Sequence, residues 1–306
     1  MAKILAGVHP NRMEKITLEN GNEKEREKTA EKMRFAERIY HAALKEHAGF
    51  KEIPELQIKE VISTALEEID ALEAAADKEQ ALAALTPEIA QSIKALWVFS
   101  GPGTYDDPVK EDRYKKYPWA RGMDRARLSY AAWLTRKISE TLSGETLKGP
   151  PREVSFRIQR ARELVAEYGP TIIYNGTELE NSVARDVLTR DGIIIPSEKA
   201  RIMGKGIDNT VDQIKSFVLP EELHRPGGEI GIISHAPHVM RVVHMLSQYQ
   251  SLPKDMTVRL FPIPSPIDGR KEYAETEIKA LLYYTFLGKN AKGTAYPSII
   301  HGTESI

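Results

Sequence analysis

The stretch EIGIISHAPHVMRVVHMLSQY, residues 229–249, decides how this chain folds. Apolar residues run almost unbroken up to Ser234, the pattern of a strand buried on both faces. From there Val239, Val242, Val243 and Leu246 recur at helical spacing. A buried strand passing directly into an amphipathic helix is half of a βαβ unit. His235, Ala236, Pro237, His238 and Arg241 fill the corner between the two. His238 and Arg241 stand three apart in the first helical turns and share one stripe, while the valines form the stripe that packs on the sheet.

The same alternation extends in both directions from this corner. ALWVFSG (95–101) reads as a strand, and DRARLSYAAWLTRKISETL (124–142) as a helix with Leu128, Ala131, Leu134, Ile138 and Leu142 inward. TIIYNG (171–176) is a second strand, followed by the helix ELENSVARDVLTRDG (178–192) and the short apolar piece GIIIP (192–196). DNTVDQIKSFVL (208–219) is a helix, MTVRLFPIP (256–264) a last strand, and KEYAETEIKALLYYTFLG (271–288) a C-terminal helix. Continuous apolar strands joined by helices predict an α/β fold, a Rossmann-like, doubly wound and mostly parallel sheet. GETLKGPPREVS (144–155) is the most linker-like stretch.

Ahead of this, residues 1–94 form a helical N-terminal region, and 95–306 the Rossmann-like domain with its C-terminal helix. EKTAEKMRFAERIYHAALKEHA (27–48) puts Met33, Ala36, Ile39, Tyr40, Ala43 and Leu44 on one stripe. IKEVISTALEEIDALEAAADKEQALAAL (58–85) does the same with Val61, Ile62, Ala65, Leu66, Ile69 and Leu72. Both are rich in alanine and glutamate, so propensity and periodicity agree.

Composition narrows the function classes. In 306 residues, 43 Lys and Arg face 44 Asp and Glu, so no basic field points to nucleic acid. There is no cysteine, which removes thiolate nucleophiles, disulfides and cysteine-ligated metals. The opening MAKILAGVHPNRMEK lacks a signal-like apolar run and no segment has the length of a membrane span, so a soluble cytoplasmic protein is expected.

In an open parallel sheet, ligands bind beyond the carboxyl ends of the strands. The corners there carry Ser100, Gly101, Gly103 and Thr104; Asn175, Gly176 and Glu180; Asn209 and Thr210; and His235, His238 and Arg241. Glycines admit close backbone approach, a helix start carries partial positive charge, arginine offers a forked cation, and histidine exchanges protons near neutrality. That set suits a small-molecule anionic ligand such as a phosphate or carboxylate. His235 and His238 do not form a helical metal motif, GPGT lacks dinucleotide and P-loop spacing, and no GxSxG elbow surrounds Ser100 or Ser234, so no metal is assigned.

These segments resemble the YdcF, SanA and ElyC family over residues 95–265. IISHAPHVMRVV is similar to the family's last motif and aligns His238 and Arg241 with its histidine and arginine. YNGTELEN matches at Gly176 and at the acid Glu180, Asn209–Thr210 match its Asn-Thr helix start, and RARLSYAAWL supplies its arginine as Arg127 or Arg125. The chain departs at Gly204 and Ile207, where the family often has glutamate and serine, and in a long first loop. The resemblance, closest to the soluble YdcF type, implies binding of S-adenosylmethionine or another anionic or adenosyl-containing molecule. Two alternatives stand beside it. One is a hydrolase of phosphorylated or diphosphate-bearing substrates, with His238, Arg241 and Glu180 catalytic; the other is a non-catalytic interaction module on the N-terminal helices.

Overall fold

Apolar strands with no polar alternation need cover on both faces, and that need organises the sheet. The computed structural model describes residues 23–101, 122–146, 154–190, 195–204, 207, 209–249, 252 and 255–288. Helices α1 (Glu23–Glu46), α2 (Glu55–Ala75), α3 (Lys78–Ala83) and α4 (Pro87–Ser92) come first. Then follow β1 (Ile93–Phe99), α5 (Met123–Ser143), α6 (Val154–Tyr168), β2 (Thr171–Asn175), α7 (Glu178–Arg190) and β3 (Ala200–Ile202). The remainder is α8 (Thr210–Lys215), β4 (Glu229–His235), α9 (Ala236–Tyr249), β5 (Thr257–Ile263) and α10 (Arg270–Leu282).

The five strands form one sheet in the order β3-β2-β1-β4-β5, every neighbour parallel. This is the α/β, Rossmann-like architecture expected from the sequence. The chain steps outward from β1 through β2 to β3, then returns to lay β4 against the other side of β1. The order therefore reverses between β1 and β4, the place where such sheets open a crevice at their carboxyl ends. Register brings Phe99 level with Asn175, and His235 level with Ile263.

Alternation along β1 explains the two covered faces. Leu96 and Val98 join a core with Leu128, Ala131, Leu134 and Ile138 of α5, which pack as the periodicity predicts; Leu142 is partly buried beside them. Trp97 and Phe99 point the other way, where Trp97 stacks on Phe217 at 3.7 Å and Phe99 meets the His238 ring edge-on. Gly231 sits in β4 where a Cβ would lie 2.6 Å from Leu96 and 2.8 Å from Phe261, so a side chain there would collide with the side chains of the two flanking strands.

Two expectations differ in detail. Strand β3, Ala200–Ile202, is short and not fully buried and lies just after the apolar piece 192–196, of which residues 192–194 lie outside the described part; the sequence marks no strand there. The crossover to β2 contains a full helix, α6, burying Ala161, Leu164 and Val165, where the linker-like composition of its leading residues hid the helical pattern.

The described residues divide into two compact units, one of residues 23–67 with 278–288, the other of the described residues between Glu68 and Glu277. The sheet lies wholly in the second, together with α3 and α4. In the first, Ile39, Tyr40, Ala43, Ile58, Val61 and Ile62 are buried, whereas Met33 on the same sequence stripe is 66% exposed. Lys59 bridges Glu37 at 2.5 Å and Glu55 at 2.6 Å along its surface. Among the described residues no helix is long and apolar enough to cross a membrane.

Candidate functional site

The carboxyl ends of β1 and β4 carry a buried polar network with Arg127 at its centre. Arg127 enters from α5, next to Leu128 and one turn before Ala131, so the stripe that builds the core also buries a guanidinium. It is 0% exposed. Its Nη1 donates to the Phe99 carbonyl at 3.1 Å and to Asp124 Oδ1 at 3.1 Å. Its Nη2 donates to the Tyr273 hydroxyl at 3.1 Å, and its Nε to His235 Nδ1 at 3.0 Å. Asp124 Oδ1 also accepts the Gly101 N–H at 2.6 Å, tying the loop after β1 to α5. A Cβ on Gly101 would fall 1.9 Å from Arg127 Nη1, so glycine is what lets the backbone lie on the guanidinium.

One consequence is chemical. A guanidinium has only donors, so His235 Nδ1 must be a bare acceptor and the ring proton resides on Nε2. Burial, with the Arg127 charge second, holds the His235 pKa well below its usual value, consistent with that neutral form. His235 is thus an oriented hydrogen-bond donor.

His238 opens α9 on the opposite face of the sheet. Its Nδ1 lies 3.0 Å from Ser234 Oγ and its Nε2 3.3 Å from Thr210 Oγ1. Burial, then the Arg241 and Arg127 charges and finally His235, push its pKa well below the usual range, leaving a neutral imidazole between two hydroxyls. Arg241, a turn further on, gives its Nε to Glu277 at 2.5 Å. Its charge is nevertheless near enough to oppose protonation of His238.

Thr210 is positioned by α8, whose N-cap is Asn209: its Oδ1 accepts the N–H groups of Val211 (2.9 Å) and Asp212 (3.1 Å). From the same helix Gln213 reaches across to bond Ser100 Oγ, while its own carbonyl accepts from Asn175 Nδ2 at 2.7 Å. Asn175 Oδ1 in turn accepts from Trp97 Nε1 at 2.8 Å. Gln213 Oε1 is buried with no hydrogen-bond partner.

The structure therefore joins Ser100, Gly101, Arg127, Asn175, Thr210, His235 and His238 in adjoining networks at one edge of the sheet. Other expected residues are engaged locally. Glu180 closes a capping box with Thr177: its carboxylate takes the Thr177 N–H at 2.9 Å, and Thr177 Oγ1 lies 3.3 Å from the Glu180 N–H. Gly176 donates its N–H to Asn181 Oδ1 at 2.8 Å, and Asn209 caps α8. Arg125 is exposed, so Arg127 is the arginine of this edge. Gly103 and Thr104 lie outside the described residues.

Asp124, Gln213 and Tyr273 were not among the candidates. Asp124 was recoverable, since it sits three before Arg127 and four before Leu128 on the inward stripe. Tyr273 and Gln213 carried no such signal, because their role depends on where α10 and α8 pack. Among the described residues no three His, Asp or Glu side chains converge as a metal site would require. No family model, curated protein or solved structure matches this chain.

Proposed function

We propose that this protein binds an anionic or adenosyl-containing small molecule at the carboxyl edge of its sheet, between β1 and β4, as the YdcF resemblance implies. The observation that carries the reading is the buried polar network at the point where strand order reverses. Burying a guanidinium, a carboxylate and two neutral imidazoles gains little stability over an apolar core of equal volume. Their concentration at the one edge where such sheets hold ligands favours a binding role over a packing role.

The donor set fits such a ligand. The His235 Nε2–H offers a donor to a phosphoryl or carboxylate oxygen, and Gln213 Oε1 an acceptor to a ribose hydroxyl or an amine. S-Adenosylmethionine carries all three kinds of group, and when bound it would supply a methyl donor. A thermal-shift panel of S-adenosylmethionine, nucleotides and pyrophosphate tests the reading. Stabilisation by one of them should shrink in His238→Ala and Arg241→Ala. If no compound shifts the wild type, or the variants respond equally, the reading fails.

Hydrolysis of a phosphorylated substrate is the second reading, favoured by His238 standing unprotonated 3.3 Å from the Thr210 hydroxyl. Turnover in a phosphatase panel, with and without divalent metal, would support it; silence in both conditions removes it.

A further inference from the structure

The opposite edge of the sheet holds a polar concavity. Where β1 and β2 begin, an open cavity of about 570 Å³ lies between the starts of the strands and the turn before β4. That volume is within the range of small-molecule sites. Three cations line it: Lys94 at the start of β1, Lys199 just before β3, and Arg225 in the turn before β4. We propose that this amino-edge cavity is a second ligand site, for a phosphomonoester with an apolar body.

Lys199 Nζ donates to the Gly169 carbonyl at 2.7 Å, and Lys94 Nζ to the Gln91 carbonyl, so each ammonium bonds a neutral group. Among the described residues the Arg225 guanidinium has no carboxylate partner. Of the two acids that line it, Glu222 is paired with Arg201 at 3.1 Å, and Glu167 lies beside Tyr168, whose phenol pKa it raises. Lys94 and Arg225 crowd each other: burial first, and Arg225 second, hold the Lys94 pKa below its ordinary value, while burial lowers that of Lys199 against the opposing charge of Glu198. An anion placed between them removes that repulsion and meets a forked donor flanked by two point charges, the arrangement that suits a phosphate. Ile93, Pro170 and Leu223 supply apolar wall, and the Tyr168 ring stands at the rim, 37% exposed, for the body of the ligand.

Phenyl phosphate, with inorganic phosphate beside it, is the probe. Calorimetric titration at low salt should give saturable binding of phenyl phosphate that weakens at least tenfold in Lys94→Gln and in Arg225→Gln. Both side chains are at least partly exposed, so both variants should fold, which circular dichroism checks. Gln213→Ala, at the other edge, should leave this binding unchanged. No saturable binding, or binding lost in Gln213→Ala and kept in Arg225→Gln, overturns the proposal and leaves the carboxyl-edge reading untouched.

Discussion

At the scale of single residues, hydrogen-bond direction settles protonation. Arg127 can only donate, so His235 is neutral with its proton on Nε2, and His238 is neutral by burial and by the charges around it. Nitrogen-15 NMR of labelled histidine should show an Nε2–H tautomer for His235 that does not titrate between pH 8 and pH 6; an imidazolium signal in that range would contradict the assignment. The unfolded chain protonates both rings near pH 6.5, whereas the fold keeps them neutral. Below that pH the unfolded state binds more protons, and stability falls with acidification by about 1.4 kcal/mol per pH unit for each ring. Urea unfolding at pH 7 and pH 5.5 should show this loss, and His235→Gln with His238→Gln should flatten it. Asp124→Asn keeps the shape of the cluster but leaves the Arg127 charge with neutral partners only. The expected cost is about 3–5 kcal/mol, read from the urea midpoint; a loss below 1 kcal/mol would mean that Asp124 does not balance that charge. Arg127, His235 and His238 were legible because each sits beside a strand end or on a clear stripe. Gln213 was not, since only the packed position of α8 brings its amide to Ser100.

At the scale of elements, caps and periodicity explain what the sequence revealed and what it concealed. The Thr177–Glu180 capping box and the Asn209 cap lie at helix starts that the sequence marks. Glu180 was expected among the catalytic residues instead, because a carboxylate near a strand end satisfies a capping pattern and a catalytic pattern equally well. Helix α6 escaped notice behind the Gly-Pro-Pro run, although Ala161, Leu164 and Val165 repeat at helical spacing. Strand β3 went unmarked because three residues with a half-exposed pattern give too little signal for a strand. Helix α8 has six residues, too few to persist without its cap and its packing. Asn209→Ala should cost about 1 kcal/mol and also loosen Thr210 and Gln213, so ligand affinity should fall with stability. Unchanged thermal stability in that variant would show that the cap contributes nothing here.

At the scale of the whole sheet, topology turns scattered corners into one place. Residues 100, 127, 175, 210, 235 and 238 are far apart along the chain, and the order β3-β2-β1-β4-β5 collects them at one edge. The parallel α/β class was readable from unbroken apolar strands alternating with amphipathic helices, and the carboxyl-edge rule supplied the corners to inspect. The chemical identity of the guest was not readable, because hydroxyls, amides and imidazoles bind many molecules and only the packed geometry selects among them. The same geometry separates two edges, a buried, finely bonded one at the carboxyl ends whose Arg127 charge pairs with Asp124, and a cation-lined cavity at the amino ends. The most direct test is calorimetric titration of S-adenosylmethionine and pyrophosphate into wild type, Gln213→Ala and Lys94→Gln. Binding by one of them that weakens at least tenfold in Gln213→Ala and is unchanged in Lys94→Gln is the predicted result. Absence of binding by both, or equal affinity in wild type and Gln213→Ala, would contradict a ligand site between β1 and β4.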